Sequence, residues 1–190
     1  MNIGILGGSF NPPHLGHVLI AQQVLDYTNL DEVWWLPAFR HTFDKPLVSI
    51  THRLAMTRLL RLPGTRVSTL EVDNQLDGNT INLIPLLKKN HPRDAFSFII
   101  GTDQLPTFHK WGNWQQLLKE LPFLVVLRAG FPADPLYDGM KLVSHSNFII
   151  SNISSTIVRA RIQNHLPIDT LVPQEILGYI KKHSLYQGNT

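Results

Sequence analysis

The sequence predicts an α/β fold: a doubly wound parallel sheet with a small C-terminal helical segment. Three observations carry this. Short apolar runs alternate with stretches of helical apolar spacing along the 190 residues. Gly, Pro, Asn and Asp punctuate the boundaries between them. The residues with unusual chemistry gather just after strand ends, where open parallel sheets receive ligands.

Taken in order, Ile3–Leu6 is the first strand, broken at Gly7-Gly8. From Leu15, the apolar residues Val18, Leu19, Ala21, Val24 and Leu25 form a helix face. Val33–Leu36 is a strand ended by Pro37, and residues 38–49 read as irregular. A helix starts near Thr51 and stops at Pro63-Gly64, and Val67–Val72 reads as the third strand. Asp77-Gly78-Asn79 is turn chemistry, with Asn79 or Thr80 capping a helix to Lys89 that must place Pro85 in its first turn. Phe96–Ile100 is a strand followed directly by Gly101-Thr102-Asp103. A helix over Trp114–Lys119, a strand over Phe123–Leu127, a loop over 129–141 and a short last strand at Phe148–Ile150 follow. Two helices, from Ser154 through Ile162 and over Pro173–Lys182, complete the chain. The expected organisation is one domain over 1–190, with 154–190 as its helical part.

Hydrophobic content of 43% and charged content of 16% describe a globular chain with a proper core. The absence of cysteine excludes disulfides, thiolate metal sites and a cysteine nucleophile. A net charge of +3 suits a small anionic ligand better than nucleic acid, which calls for clustered Lys and Arg. No apolar run approaches the ~20 residues of a membrane helix, and no signal peptide is evident. The expectation is a cytoplasmic protein with small-molecule partners, no nucleic acid and no membrane; a homo-oligomer is compatible with the sequence.

Three motifs carry chemistry. The first is Gly7-Gly8-Ser9-Phe10-Asn11-Pro12-Pro13-His14-Leu15-Gly16-His17, a strand feeding a loop that opens onto a helix N-terminus. Unpaired N–H groups and the helix dipole favour an anion there, and glycine lets the backbone approach it. His14 and His17 are three apart and share a helical face. A glycine turn followed by two surface histidines accounts for fragments of this loop but poorly for the whole. It lacks both the dinucleotide fingerprint and the Gly-Lys-Ser/Thr of a P-loop. Zinc on the histidine pair is disfavoured, because no nearby carboxylate completes a set.

The second motif is Ile153-Ser154-Ser155-Thr156-Ile157-Val158-Arg159. Plain N-capping explains one hydroxyl. Three in a row, with Arg159 three and four residues after Thr156 and Ser155, point to a second phosphate clamp. The third is Gly101-Thr102-Asp103 with Trp111 beyond it. Asp103 can accept from ribose hydroxyls or an adenine amino group and Trp111 offers a stacking face; a helix-capping Asp and a core Trp explain them equally well. Lys45, Thr80 and Arg128 fall near strand ends on the same side.

The first motif resembles the His-x-Gly-His signature of the nucleotidyltransferase superfamily, and Ile-Ser-Ser-Thr-x-x-Arg resembles its second signature. Within it the chain is similar to the bacterial nicotinate-nucleotide adenylyltransferases. The branch is carried by His52-Arg53-Leu54-Ala55-Met56, Ile99-Ile100-Gly101-Thr102-Asp103, Phe108-His109-Lys110-Trp111, Val125-Val126-Leu127-Arg128 and the tail to His183-Ser184-Leu185-Tyr186. Two segments depart from the family pattern. Arg40-His41-Thr42-Phe43-Asp44-Lys45 replaces a Pro-Pro-His-Lys-like segment, and Gly78-Asn79-Thr80 replaces Ser-Tyr-Thr.

The resemblance implies a Rossmann-like nucleotidyltransferase fold and transfer of AMP from ATP to nicotinate mononucleotide, with Mg²⁺ accompanying ATP and no metal held by the protein alone. It implies catalytic roles for His14, His17 and Arg159, with the imidazoles charged beside the phosphates. It assigns ATP to Gly7, Gly8, Ser9, Phe10, Gly16, Gly101, Asp103, Ile153, Ser154, Ser155 and Thr156. It assigns the mononucleotide to Asn11, Lys45, Thr80, Trp111 and Arg128. Nicotinamide mononucleotide or a phosphopantetheine-type acceptor is the alternative substrate. A nucleotide-binding regulator without catalysis is the alternative class, and an oxidoreductase is disfavoured by the missing fingerprint.

Overall fold

The computed structural model describes residues 1–40 and 47–188. Six strands form one sheet: β1 (Asn2–Gly8), β2 (Glu32–Pro37), β3 (Thr65–Val67), β4 (Ala95–Gly101), β5 (Phe123–Val126) and β6 (Met140–Val143). Their order is β3-β2-β1-β4-β5-β6, and every neighbouring pair is parallel. The order reverses between β1 and β4. The carboxyl ends of those two strands, Gly8 and Gly101, therefore open the crevice where a doubly wound sheet takes its ligand.

Strands buried on both faces read as continuous apolar runs, and their alternation shows only in where each side chain goes. Val33, Trp35, Ile99, Leu124 and Val126 enter one core. It is completed by α1 (Leu15–Tyr27), α2 (Ile50–Thr57), α6 (Ser155–Gln163) and α7 (Gln174–Lys182) through Ala21, Val24, Met56, Val158 and Ile176. Ile3, Ile5, Trp34, Leu36, Phe98, Ile100, Phe123 and Val125 enter the other. It is completed by α4 (Ile84–Asn90), α5 (Trp114–Glu120) and the 3₁₀ segments Thr80–Leu83 and Thr102–Lys110.

Several expected elements are corrected. The third strand is only Thr65–Val67, and Leu70–Asp73 is a short helix, α3. The apolar spacing of Leu70 and Val72 imitates a strand, but β3 is the sheet's edge and the ladder stops beyond Val67. The helix expected to reach Pro63 ends at Thr57. Pro85 is accommodated in the first turn of α4, after a 3₁₀ turn. The last strand is Met140–Val143, within and just past the stretch expected as loop. Phe148–Ile150 is no strand; Gln23 grips Ile149 with its amide at both N–H and C=O, and Ser151 makes a single bridge to Arg128. Among the described residues, no helix is long and apolar enough to cross a membrane.

Candidate active site

The phosphate-type loop is shaped by burial. Gly7 is required by the sheet as much as by any ligand, since a Cβ there would lie 2.7 Å from the Phe98 ring. Phe10 takes a left-handed backbone conformation, φ 47°, which costs of order 1 kcal/mol in a non-glycine residue. Its buried ring offsets that, edge-on to Trp35 and 4.8 Å from His17. The chain is thereby turned back toward α1.

At the start of α1, the His14 N–H donates to His17 Nδ1 at 3.1 Å, and the two rings lie 3.7 Å apart. An Nδ1 that accepts cannot carry a proton, so neutral His17 is held in the tautomer that presents Nε2–H. Without phosphates beside them both imidazoles are depressed, whereas the charged state is the one expected beside bound phosphates. His17 is lowered to about 3 by burial and then by the Arg128 charge. His14 is well below its ordinary value from burial, from His17 and from Arg128. In the substrate-free protein they are neutral donors, and Arg128 supplies the fixed positive charge beside them. Gly16 leaves room for the second motif: a Cβ there would meet Ile153 O and His14 Nδ1 at 2.9 Å.

The second motif docks onto the first. Ser154 caps α6, accepting from Ile157 N–H. Ser155 Oγ donates to Pro12 O at 2.8 Å, and Arg159 Nη1 donates to Asn11 O at 2.8 Å. Arg128, at the end of β5, donates to Ile153 O at 2.7 Å and reaches toward Asp103 at 3.7 Å. The N-termini of α1 and α6 thus face one space, doubling the electrostatic pull on an anion.

That space is a cleft of about 660 Å³. Of the expected residues, Gly7, Gly8, Ser9, Phe10, His14, His17, Thr80, Gly101, Asp103, Trp111, Arg128, Ser154 and Ser155 line it. Asn11, Gly16, Ile153, Thr156 and Arg159 are not among the lining residues; Arg159 reaches Asn11 O and Thr156 Oγ1, and Tyr186 donates to Asn11 Oδ1. Arg159 joins the two loops through Asn11 O, and the Arg128 charge acts on both histidines. Lys45 lies outside the described residues. Trp111 is partly buried, its ring tilted against Phe108 at 5.1 Å and edge-on to Phe98. It packs against the core and also lines the cleft.

Sequence reasoning missed two buried charged groups. Arg53 donates to Ser9 O, Ala38 O, Phe39 O and Val48 O at 2.6–3.2 Å, tying the first loop to the segment after β2. Glu71 lines the cleft, accepts from Phe39 N–H, and is raised to about 7 by burial. Arg53 stands in the sequence only as part of the His52-Arg53-Leu54-Ala55-Met56 motif, and Glu71 only as a charged residue on a short apolar stretch. Among the described residues, no three His, Asp or Glu side chains gather as a metal cage.

Residues 5–161 match the family model of cytidylyltransferase-like proteins. The chain is 33% identical to a probable nicotinate-nucleotide adenylyltransferase of Bacillus pumilus, over 98% of both chains. It is 32% identical to the nicotinate-nucleotide adenylyltransferase of Bacillus subtilis, again over 98% of both. A solved structure of Plasmodium falciparum nicotinic acid mononucleotide adenylyltransferase, complexed with NaAD, superposes with a TM-score of 0.80 at 25% identity, covering 99% of this chain and 98% of that one. Both signature loops meet on a single switch-point cleft, and relatives of one name match nearly end to end; the chain belongs to the nicotinate-nucleotide adenylyltransferases, within the cytidylyltransferase-like family.

Proposed function

We propose that this chain transfers the adenylyl group of ATP to nicotinate mononucleotide, releasing pyrophosphate and forming the deamido dinucleotide. The reading is carried by one observation: a backbone-fixed Nε2–H donor at His17 sits with the Arg128 charge at the mouth of two helix N-termini. The mononucleotide phosphate is already ionised near neutral pH and needs no base. One of its oxygens bonds to the α-phosphorus of ATP as the bond to the bridging oxygen of pyrophosphate breaks. The protein aligns two anions and stabilises charge growing on the α- and β-phosphates.

In this reading His14, His17 and Arg128 donate to the reacting phosphates, and Ser9 with the Gly8 and Phe10 backbone borders them. Ser154 and Ser155 hold the β- and γ-phosphates at the N-terminus of α6. Arg159 holds the two loops at that spacing. Asp103 takes the adenosine side, and Trp111 and Thr80 form the pyridine side. Mg²⁺ bound with ATP would neutralise the triphosphate charge, and Asp103 would be the residue here to accept from a metal-bound water. The whole chain acts as one domain, in the cytoplasm.

The test is a pyrophosphate-release assay with ATP and each mononucleotide in turn. Release with nicotinate mononucleotide, and no adenylylated protein with ATP alone, is the expected result. Nucleotide binding without release would make the chain a regulator instead.

A further inference from the structure

The peptide unit at Phe39 is held from both sides by buried ionisable side chains, one acidic and one basic. Its N–H donates to Glu71 Oε2 at 3.3 Å, and its C=O accepts from Arg53 Nη2 at 3.0 Å. Both side chains are almost wholly enclosed, Arg53 at 2% and Glu71 at 6% exposure. The same guanidinium holds Ala38 O at 2.6 Å and Ser9 O at 3.0 Å, and Ala38 N–H returns to Gly8 O at 2.9 Å. The segment leaving β2 is therefore locked to the phosphate loop on one side and to α3 on the other. Ala38, Arg40, Glu71, Asn79 and Thr80 all line the cleft, and β2, which Ala38 and Arg40 follow, lies on the other side of β1 from β5, which Arg128 follows.

We infer that Glu71 is a positioning residue for the mononucleotide, acting through the Phe39 peptide that it shares with Arg53. The inference rests on the function proposed above. The acidic side chain is kept inside although burial works against its charged form, the pattern expected of a site residue rather than of a stability device. The groups facing it are the Arg53 cation and the Asp77 carboxylate, which is itself occupied by Asn79 and Asn82. Held this way, the Pro37–Arg40 segment presents a fixed wall to the mononucleotide and leaves the ATP phosphates, gathered at His14 and His17, untouched.

The test is the steady-state kinetics of Glu71→Ala and Glu71→Gln with both substrates varied. Glu71→Ala is expected to raise KM for the mononucleotide about tenfold, with kcat and the KM for ATP within about twofold of the parent. Glu71→Gln, which keeps an acceptor for Phe39 N–H, is expected to recover most of that loss while melting no lower than the parent protein. Amide exchange at Phe39 in the substrate-free protein, expected to quicken in Glu71→Ala, reads the bond without reference to the reaction. A parent protein that releases no pyrophosphate would sink the proposed function, whereas unchanged Phe39 exchange would sink this inference alone. So would an unchanged mononucleotide KM in Glu71→Ala, or a fall in kcat and both affinities that follows lost stability.

Discussion

Replacing His17 tests the tautomer that the structure assigns. His17 Nδ1 is occupied by the His14 N–H at 3.1 Å, which leaves Nε2–H as its one donor. Truncation to Ala removes that donor from the cleft. The loss of one such donor is worth about 3–4 kcal/mol, or roughly 10²–10³-fold in kcat. The stability penalty is smaller: about 1 kcal/mol for the orphaned His14 N–H and about 1 kcal/mol for ring contacts with Phe10 and His14. For a chain of this length that lowers Tm by roughly 4–8 °C and leaves the protein folded at assay temperature. Gln places its amide nitrogen near the position of Nε2, whereas Asn places it near Nδ1. Pyrophosphate release at saturating substrates should therefore rank parent, then Gln, then Asn and Ala, with Gln recovering about tenfold over Ala. Asn outperforming Gln would refute the tautomer, and near-parental turnover in His17→Ala would remove the residue from the mechanism.

Protonation should pull stability in two directions. His17, lowered to about 3, and His14, also lowered, take up protons on unfolding, so both withdraw stability as pH falls through 6.5. Glu71, raised to about 7, holds a proton that the unfolded chain releases above its ordinary 4.5, so its contribution is lost as pH rises to 7. Urea denaturation of Glu71→Gln should show a gain of up to about 3 kcal/mol at pH 8 that vanishes near pH 4.5; no gain at pH 8 would contradict the buried carboxylate. Trp111→Ala should raise KM for the mononucleotide far more than for ATP, with a lower Tm because the indole also packs on Phe98, Phe108 and Phe123; equal effects on both KM values would leave it a core role only. Arg53→Met should lose 3 kcal/mol or more, roughly, by stripping donors from four carbonyls, whereas a stable variant by denaturation would show that water replaces the guanidinium.

Much of the architecture is readable in one dimension because local pattern and tertiary order agree. The apolar runs of β1, β2, β4 and β5 are continuous since both faces of a parallel sheet are covered. Both phosphate motifs are local too, each a loop opening onto a helix. The failures fall at the edges of the sheet. β3 and β6 are three and four residues long, too short for periodicity to separate them from loop, and Phe148–Ile150 satisfies its backbone through Gln23 instead of a ladder.

What the sequence by itself determined is the class of fold, the two signature loops and the family they mark, because those depend on residue types at short spacing. Only the tertiary structure decided which residues face the cleft and which do not. Arg159 turns to Asn11 O, and the charge of Arg128, at the end of another strand, acts on both histidines. It also decided the charge state. Burial and the approach of Arg128 outweigh the ordinary basicity of His14 and His17, and burial raises Glu71. The physical reason is that solvation and long-range contacts, unlike spacing, exist only once the chain has closed on itself.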